Sequence, residues 1–168
     1  LAGTEMVQLP LPSFVPSGMA KVDIKVAAPE ACPRYITRAI TGLNAKAASP
    51  AWMTQRLERC GLRSISAIVD VTNYVLLEMG QPLHAFDMAK LNGGIEVRFA
   101  HAGEQLQVLN QQNVELQPDV LVIAYDTQVV ALAGVMGGLA SSVGDETTDI
   151  LLESAFFAPN VIVGKSRR

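Results

Sequence analysis

Three hydrogen-bonding side chains, Thr72, Asn73 and His84, fall inside one stretch from Ser66 to Asp87, where an apolar segment runs out into Gly80-Gln-Pro82. Polar groups gathered at a helix end beside a bend are what a small polar pocket requires. Such a set can hold a water or a ligand, or it can cap backbone groups and face solvent. Asp87 is placed either to orient His84 or to cap the segment Met88-Ala-Lys-Leu91, and the cap is the simpler assignment. Glu153 stands in the run Ile150-Leu-Leu-Glu-Ser-Ala-Phe-Phe157. A carboxylate buried there needs a partner, because an unpaired buried charge is costly; otherwise it faces solvent or accepts from a backbone amide. Ala133-Gly134-Val135-Met136-Gly137-Gly138 is glycine-rich but lacks the Gly-Lys-Ser/Thr of a P-loop. It reads either as a tight turn or as a wall whose bare backbone approaches a ligand. Arg63 follows a helix end, as a solvated charge or a partner of the helix dipole. No Ser-His-Asp order, Gly-x-Ser-x-Gly elbow or metal cluster is visible.

The elements that must position these groups follow from periodicity. Residues 1 to about 20 carry prolines and little pattern, and read as a linker. Val22 to Val26 alternates as a half-buried strand, and Arg34 to Thr41 forms a second. Ser49 is expected to cap a helix with Pro50 in its first turn, Gly61 to stop it, and Trp52, Met53, Leu57 and Cys60 to form its apolar stripe. Ser66 caps a second helix whose Ile68, Val71, Val75 and Leu76 are expected to face inward; Gly80 and Pro82 end it. Thereafter Ile95–Phe99, Gln105–Leu109, Val114–Leu116, Val120–Ala124, Val129–Leu132 and Ile150–Leu152 read as short strands between polar turns. Ala158-Pro159 is expected to start a helix that continues to Arg168. Strands, two helices, then many strands, without βαβ alternation, define an α+β chain.

Composition narrows the class. The 168 residues suit one domain, and 49% apolar with 17% charged residues argues against disorder. No apolar run is long enough to span a bilayer. Cys32 and Cys60 match neither a disulfide framework nor zinc spacing, which suits a reducing cytoplasm. The net charge of −3 implies weak binding of nucleic acid by this chain alone, because phosphate neutralisation normally supplies much of that affinity.

The Ser66–Asp87 stretch, together with Gly61-Leu-Arg-Ser-Ile-Ser66, the glycine loop and Leu151-Leu-Glu-Ser-Ala-Phe-Phe157, resembles the B3/B4 editing module of bacterial phenylalanyl-tRNA synthetase beta subunits. The likeness runs in order from about Cys32 to the C-terminus. It implies a B3/B4-type α+β fold over residues 21–168, with layered, sandwich-like sheets against a few helices. It also implies hydrolysis of the ester of mischarged Tyr-tRNA(Phe). On that resemblance Thr72, Asn73 and His84 line the site, His84 and Asn73 holding a water and Thr72 supporting the ligand. Gly134, Val135, Met136, Gly137 and Gly138 form a wall, and a side chain at Gly137 would enter the ligand's space. Glu153 takes the para-hydroxyl of tyrosine, and Arg63 is a candidate contact for the tRNA end. An apolar phenylalanine pocket rejects an added hydroxyl by only about a hundredfold, so a second site that pairs with the hydroxyl corrects the error.

The resemblance further implies no metal or cofactor for editing, with ATP and Mg serving aminoacylation by the whole synthetase. The implied partners are the 3′ end of tRNA(Phe) and, through the rest of a beta chain, the alpha subunit. The implied location is cytoplasmic, with no membrane. Family members continue past the equivalent of Arg167-Arg168 with His-Gly-Leu-His-Thr-Asp-Ala, so the expected domain is truncated, and inactive or only partly folded by itself. A non-catalytic, tRNA-contacting structural module is the alternative, and a free-standing trans-editing protein a more distant one.

Overall fold

In the computed structural model, residues 13–18, 20–91 and 93–165 are described; most of the expected linker lies outside them, and residues 13–18 are exposed without regular structure. Among these residues are ten strands and three α-helices. They run β1 (Ile24–Val26), β2 (Arg34–Ile40), α1 (Ala51–Arg59), α2 (Ala67–Met79), β3 (His84–Asp87), β4 (Ile95–Phe99), β5 (Gln105–Gln107) and β6 (Asn113–Glu115). They continue with β7 (Leu121–Tyr125), β8 (Gln128–Leu132), β9 (Met136–Gly137), β10 (Ile150–Phe156) and α3 (Pro159–Ile162).

The strands form three sheets. The largest has the order β1-β4-β7-β8-β9, antiparallel except for the parallel pair β1–β4. The second is antiparallel, β2-β10-β3, and the third is the pair β5-β6. Phe86 and Leu151 of the second sheet pack with Ile95, Val97, Leu121 and Ile123 of the first in one buried cluster. Val122 and Val129 point the other way, toward Leu106 and Leu116 around β5 and β6. The five-stranded sheet is thus covered on both faces, which explains why β7 is buried at every position and apolar without alternation. This layered α+β architecture is the one expected.

The helix ends show how local chemistry decides boundaries. Gly61 (φ 82°) closes α1: its N–H donates to Glu58 O and that of Leu62 to Leu57 O, the paired bonds of a Schellman stop. Ser66 caps α2 by accepting from Val69 N, and Gly80 ends it in the left-handed region. Asp87 accepts from Ala89 N as the expected cap; it also receives the Thr147 hydroxyl at 2.7 Å. Ser49 does not cap α1. The N-cap is Pro50, and the Ser49 hydroxyl donates instead to the Asp70 carboxylate at 2.5 Å, since a bond to a charged acceptor outweighs a neutral one.

Other expectations give way to packing. Met53 and Leu57 of α1 are buried, but Trp52 and Cys60 are exposed. On α2, Val71 and Leu76 are 45% and 38% exposed, and the fully buried residue is Asp70. Its carboxylate gathers the hydroxyls of Ser49 and Ser64 and the N–H of Ile65, fastening both segments that flank α1. Burial works against the ionised form, yet these donors hold the Asp70 pKa below its ordinary value. The last helix is a single turn that stops at Ile162; Val163 is extended (ψ 128°) and Gly164 has φ 83°. It therefore does not continue as expected through Lys165, and residues 166–168 lie outside the described ones. Strands β3 and β9, and the C-terminal half of β10, were not expected. The first two are too short for a pattern, and Glu153 and Ser154 break the apolar run of the third.

Candidate functional site

Alternation along β10 and its neighbours builds the site. Leu151, Glu153 and Ala155 share one face, and in the ladder with β3 Leu151 pairs with Phe86 and Glu153 with His84. The face that supplies Leu151 and Phe86 to the core therefore carries Glu153 and His84 further along, past the edge of the apolar cluster. There it opens on a cavity of about 340 Å³, a size suited to a small ligand. Its walls are Pro82, Leu83, His84, Glu153, Ala155 and Phe157 on one side. Leu109, Ile123, Ala131, Leu132 and the turn Gly134–Gly137 close the other.

The five-stranded sheet reaches the cavity through an irregularity. Register between β7 and β8 shifts between Ile123 and Ala124, so that Ile123 pairs with Ala131 and Ala124 with Val129. Val130 is the extra residue of a bulge, a device that bends a strand and re-aims its side chains. Its carbonyl accepts Gly138 N at 2.7 Å and the Ser141 hydroxyl at 3.2 Å. A Cβ on Gly138 would lie 2.6 Å from that oxygen, so this glycine serves the close backbone approach and is not itself in the cavity wall. Gly134 has φ 68°, and a Cβ there would lie 3.1 Å from the ring of Phe157. Gln81 ties the other wall down, donating to the carbonyls of Pro82 and Ala155.

Two groups give the cavity its chemistry. Glu153 is 6% exposed; burial raises its pKa to about 7, partly offset by a hydrogen bond from the Tyr35 hydroxyl to Oε2 at 3.1 Å. His84 lies edge-on to Phe86, ring centroids 4.5 Å apart, and burial lowers its pKa to about 4. Its Nε2 is buried with no hydrogen-bond partner among the described residues, an omission that costs about 1–3 kcal/mol. A Cβ on Gly137 would sit 2.7 Å from Nε2, so this glycine makes room for the imidazole. Opposite electrostatic outcomes arise from one cause: a dry site keeps His84 neutral and Glu153 half protonated near pH 7.

Of the residues singled out in the sequence, His84, Glu153, Gly134, Val135, Met136 and Gly137 line this cavity, whereas Thr72, Asn73, Arg63 and Gly138 do not. The Thr72 hydroxyl is engaged with Val69 O at 2.8 Å. Tyr35, the partner of Glu153, carries no motif that singles it out, although alternation in β2 places Tyr35, Thr37 and Ala39 on the half-buried face and Arg34, Ile36 and Arg38 outside. Among the described residues no group of three His, Cys, Asp or Glu side chains could hold a metal ion, and no helix is long and apolar enough to cross a membrane.

Facing sheets with a polar pair at the end of an apolar cavity define an α+β domain with room for a small molecule. More narrowly, the family model for the B3/4 domain matches residues 31–168, and the chain belongs to that family. It is 54% identical over 167 residues to the phenylalanine–tRNA ligase beta subunit of Chromobacterium violaceum, covering 99% of this chain and 21% of that protein. The beta subunit of Acinetobacter baylyi is 60% identical over 139 residues, 83% of this chain and 18% of that one. The chain thus spans about a fifth of the length of these relatives. An N-terminal fragment of the phenylalanyl-tRNA synthetase beta subunit from Pyrococcus horikoshii shares the fold, with a TM-score of 0.64 over 90% of this chain and 47% of that chain at 12% identity.

Proposed function

We propose that the cavity is an editing site that hydrolyses the ester of tyrosine mischarged on tRNA(Phe). The observation that carries this reading is the pairing of Glu153 with His84 on one apolar wall. The ligand's ring occupies the greasy part of the cavity, and its hydroxyl donates to the Glu153 oxygen that Tyr35 leaves unused. Phenylalanine would leave that buried carboxylate short of a donor, which costs about 1–3 kcal/mol. Selection therefore works by pairing, where a merely apolar pocket would discriminate poorly.

Hydrolysis needs a water aligned on an ester that is already reactive, and orientation alone can supply much of the acceleration. His84, uncharged at neutral pH, accepts from or orients that water, and the turn Gly134–Gly137 forms the wall against which the amino-acid portion lies. Thr72, Asn73 and Arg63, outside the cavity lining, are assigned no part in recognising the side chain. The reading places the chain in a cytoplasmic synthetase that binds the tRNA(Phe) 3′ end, pairs with an alpha subunit, and uses ATP and Mg only for aminoacylation. The test is deacylation of Tyr-tRNA(Phe) and Phe-tRNA(Phe) by the complete synthetase carrying Glu153→Ala. The tyrosine preference should erode by on the order of tenfold or more. An unchanged ratio would remove Glu153 from recognition; a wild-type enzyme that hydrolyses neither ester would leave a structural module.

A further inference from the structure

The cavity's carboxylate is already in contact with a phenol, and it belongs to the protein. Tyr35 pairs with Ala155 across the β2–β10 ladder, one step along the same face from the Thr37–Glu153 pair. Its ring packs against the main core cluster, and its hydroxyl reaches Glu153 Oε2 at 3.1 Å. Among the described residues this is the hydrogen bond that Glu153 receives. A carboxylate has two oxygens and several lone pairs; with one oxygen held at the β2 side, the other is left for a donor in the cavity.

We infer that Tyr35 is a positioning residue for recognition: its phenol pins one oxygen of Glu153 and turns the other toward the ligand, so that the site accepts a single further hydroxyl. The inference rests on the editing reading and adds to it a residue and a pH window. The titratable groups facing Glu153 are Tyr35 and Cys32 from the β2 side and His84 from β3. Burial and the charge of Glu153 raise Tyr35 and Cys32, Cys32 to about 11, and burial keeps His84 uncharged above about pH 4. Glu153 is therefore the group in this cluster that changes charge near neutrality. Tyr35 donates to its ionised form and so favours ionisation, and a ligand hydroxyl does the same from the other side. Binding a phenol is then coupled to release of the Glu153 proton, and tyrosine preference should rise with pH through about 7.

The experiment compares wild type, Tyr35→Phe, Glu153→Gln and Glu153→Ala in the complete synthetase. The ratio of kcat/KM for Tyr-tRNA(Phe) and Phe-tRNA(Phe) is measured across neutral pH after subtracting spontaneous ester hydrolysis. Tyr35→Phe keeps the ring and its packing. Its ratio should fall on the order of tenfold at pH 7, with the midpoint of the pH curve moved upward and the preference recovering at higher pH. Glu153→Gln cannot ionise, so its ratio, whatever its size, should not change with pH through neutrality. If Glu153→Gln behaves so while Tyr35→Phe retains the wild-type ratio and midpoint, or loses both substrates equally, the role of Tyr35 is overturned and the editing reading stands. If the wild type shows no tyrosine preference, or Glu153→Ala leaves it intact, the editing reading falls and this inference with it; a Glu153→Gln enzyme that keeps the wild-type midpoint overturns the pH window.

Discussion

Glu153 and His84 are direct cross-strand partners in the β10–β3 ladder, and both are held against ionisation. Side chains so paired stand within about 4.5–5.5 Å at Cβ, a distance at which an acid and an imidazole would ordinarily form an ion pair. Here burial raises the carboxyl to about 7 and lowers the imidazole to about 4. At neutral pH one is uncharged and the other only half charged. Apart from the Tyr35 hydroxyl on Glu153, their neighbours are apolar walls, so a further donor would favour the ionised carboxylate, which is a sensible arrangement for reading a hydroxyl.

The first consequence concerns stability. A carboxyl raised in the fold is penalised when ionised, so Glu153 costs nothing while protonated and most at pH above about 7. The displacement from 4.5 corresponds to about 3 kcal/mol at full ionisation. Glu153→Gln should therefore gain stability relative to wild type as pH rises from 5 to 8, by up to that amount. Thermal or urea unfolding at the two pH values checks it; an equal difference at both would mean that Glu153 is not a buried acid.

For His84 the sign is the reverse. Its pKa is lowered in the fold, so the unfolded chain takes up the proton first and stability is lost as pH falls from about 6.5 to about 4. Because the ring is already neutral above that range, hydrolysis should show no inflection of its own near 6.5. His84→Ala should slow deacylation on the order of a hundredfold with the tyrosine-to-phenylalanine ratio largely kept. A ratio that collapses along with the rate would make His84 part of recognition instead.

How much of this was legible before the fold was known depended on the range of each interaction. Glu153 stood out because a carboxylate in an apolar run is locally anomalous, and the caps at Ser66, Gly61 and Asp87 are set within one turn of chain. The cavity walls at Leu109, Ile123, Ala131 and Phe157 could not be told from core, since both demand the same side chains. Tyr35 lies 118 residues from Glu153, and only the alternation of β2 hinted at it. The inward face of α2 was misjudged because its sequence is apolar on nearly every side, so periodicity had no contrast to work with. Asp70 won the buried position through its hydrogen bonds.

That buried aspartate supports another expectation. Asp70 holds Ser49, Ser64 and the Ile65 amide, and its removal strands three donors at once. Asp70→Ala should destabilise the domain by about 2–4 kcal/mol, and Asp70→Asn by less, since an amide oxygen still accepts. The wild-type advantage should fade in acid, because a carboxyl held below its ordinary pKa contributes stability above that value and loses it as pH falls through the folded one. Urea denaturation of the three proteins at pH 7 and in acid measures this.

The last expectation separates crowding from chemistry at Gly137. A methyl group there would lie 2.7 Å from His84 Nε2, far inside contact distance, and the imidazole cannot retreat without leaving its edge-on seat against Phe86. Gly137→Ala should therefore cost about 1–3 kcal/mol by overpacking and slow deacylation about as much as His84→Ala. If the ring is the obstacle, adding Gly137→Ala to a His84→Ala background should cost little further in stability or rate, because the space is already empty. A double-mutant cycle on unfolding and on Tyr-tRNA(Phe) hydrolysis reads this coupling directly. Additive losses would mean that the glycine serves the backbone of β9 or the ligand itself and has no special tie to the imidazole.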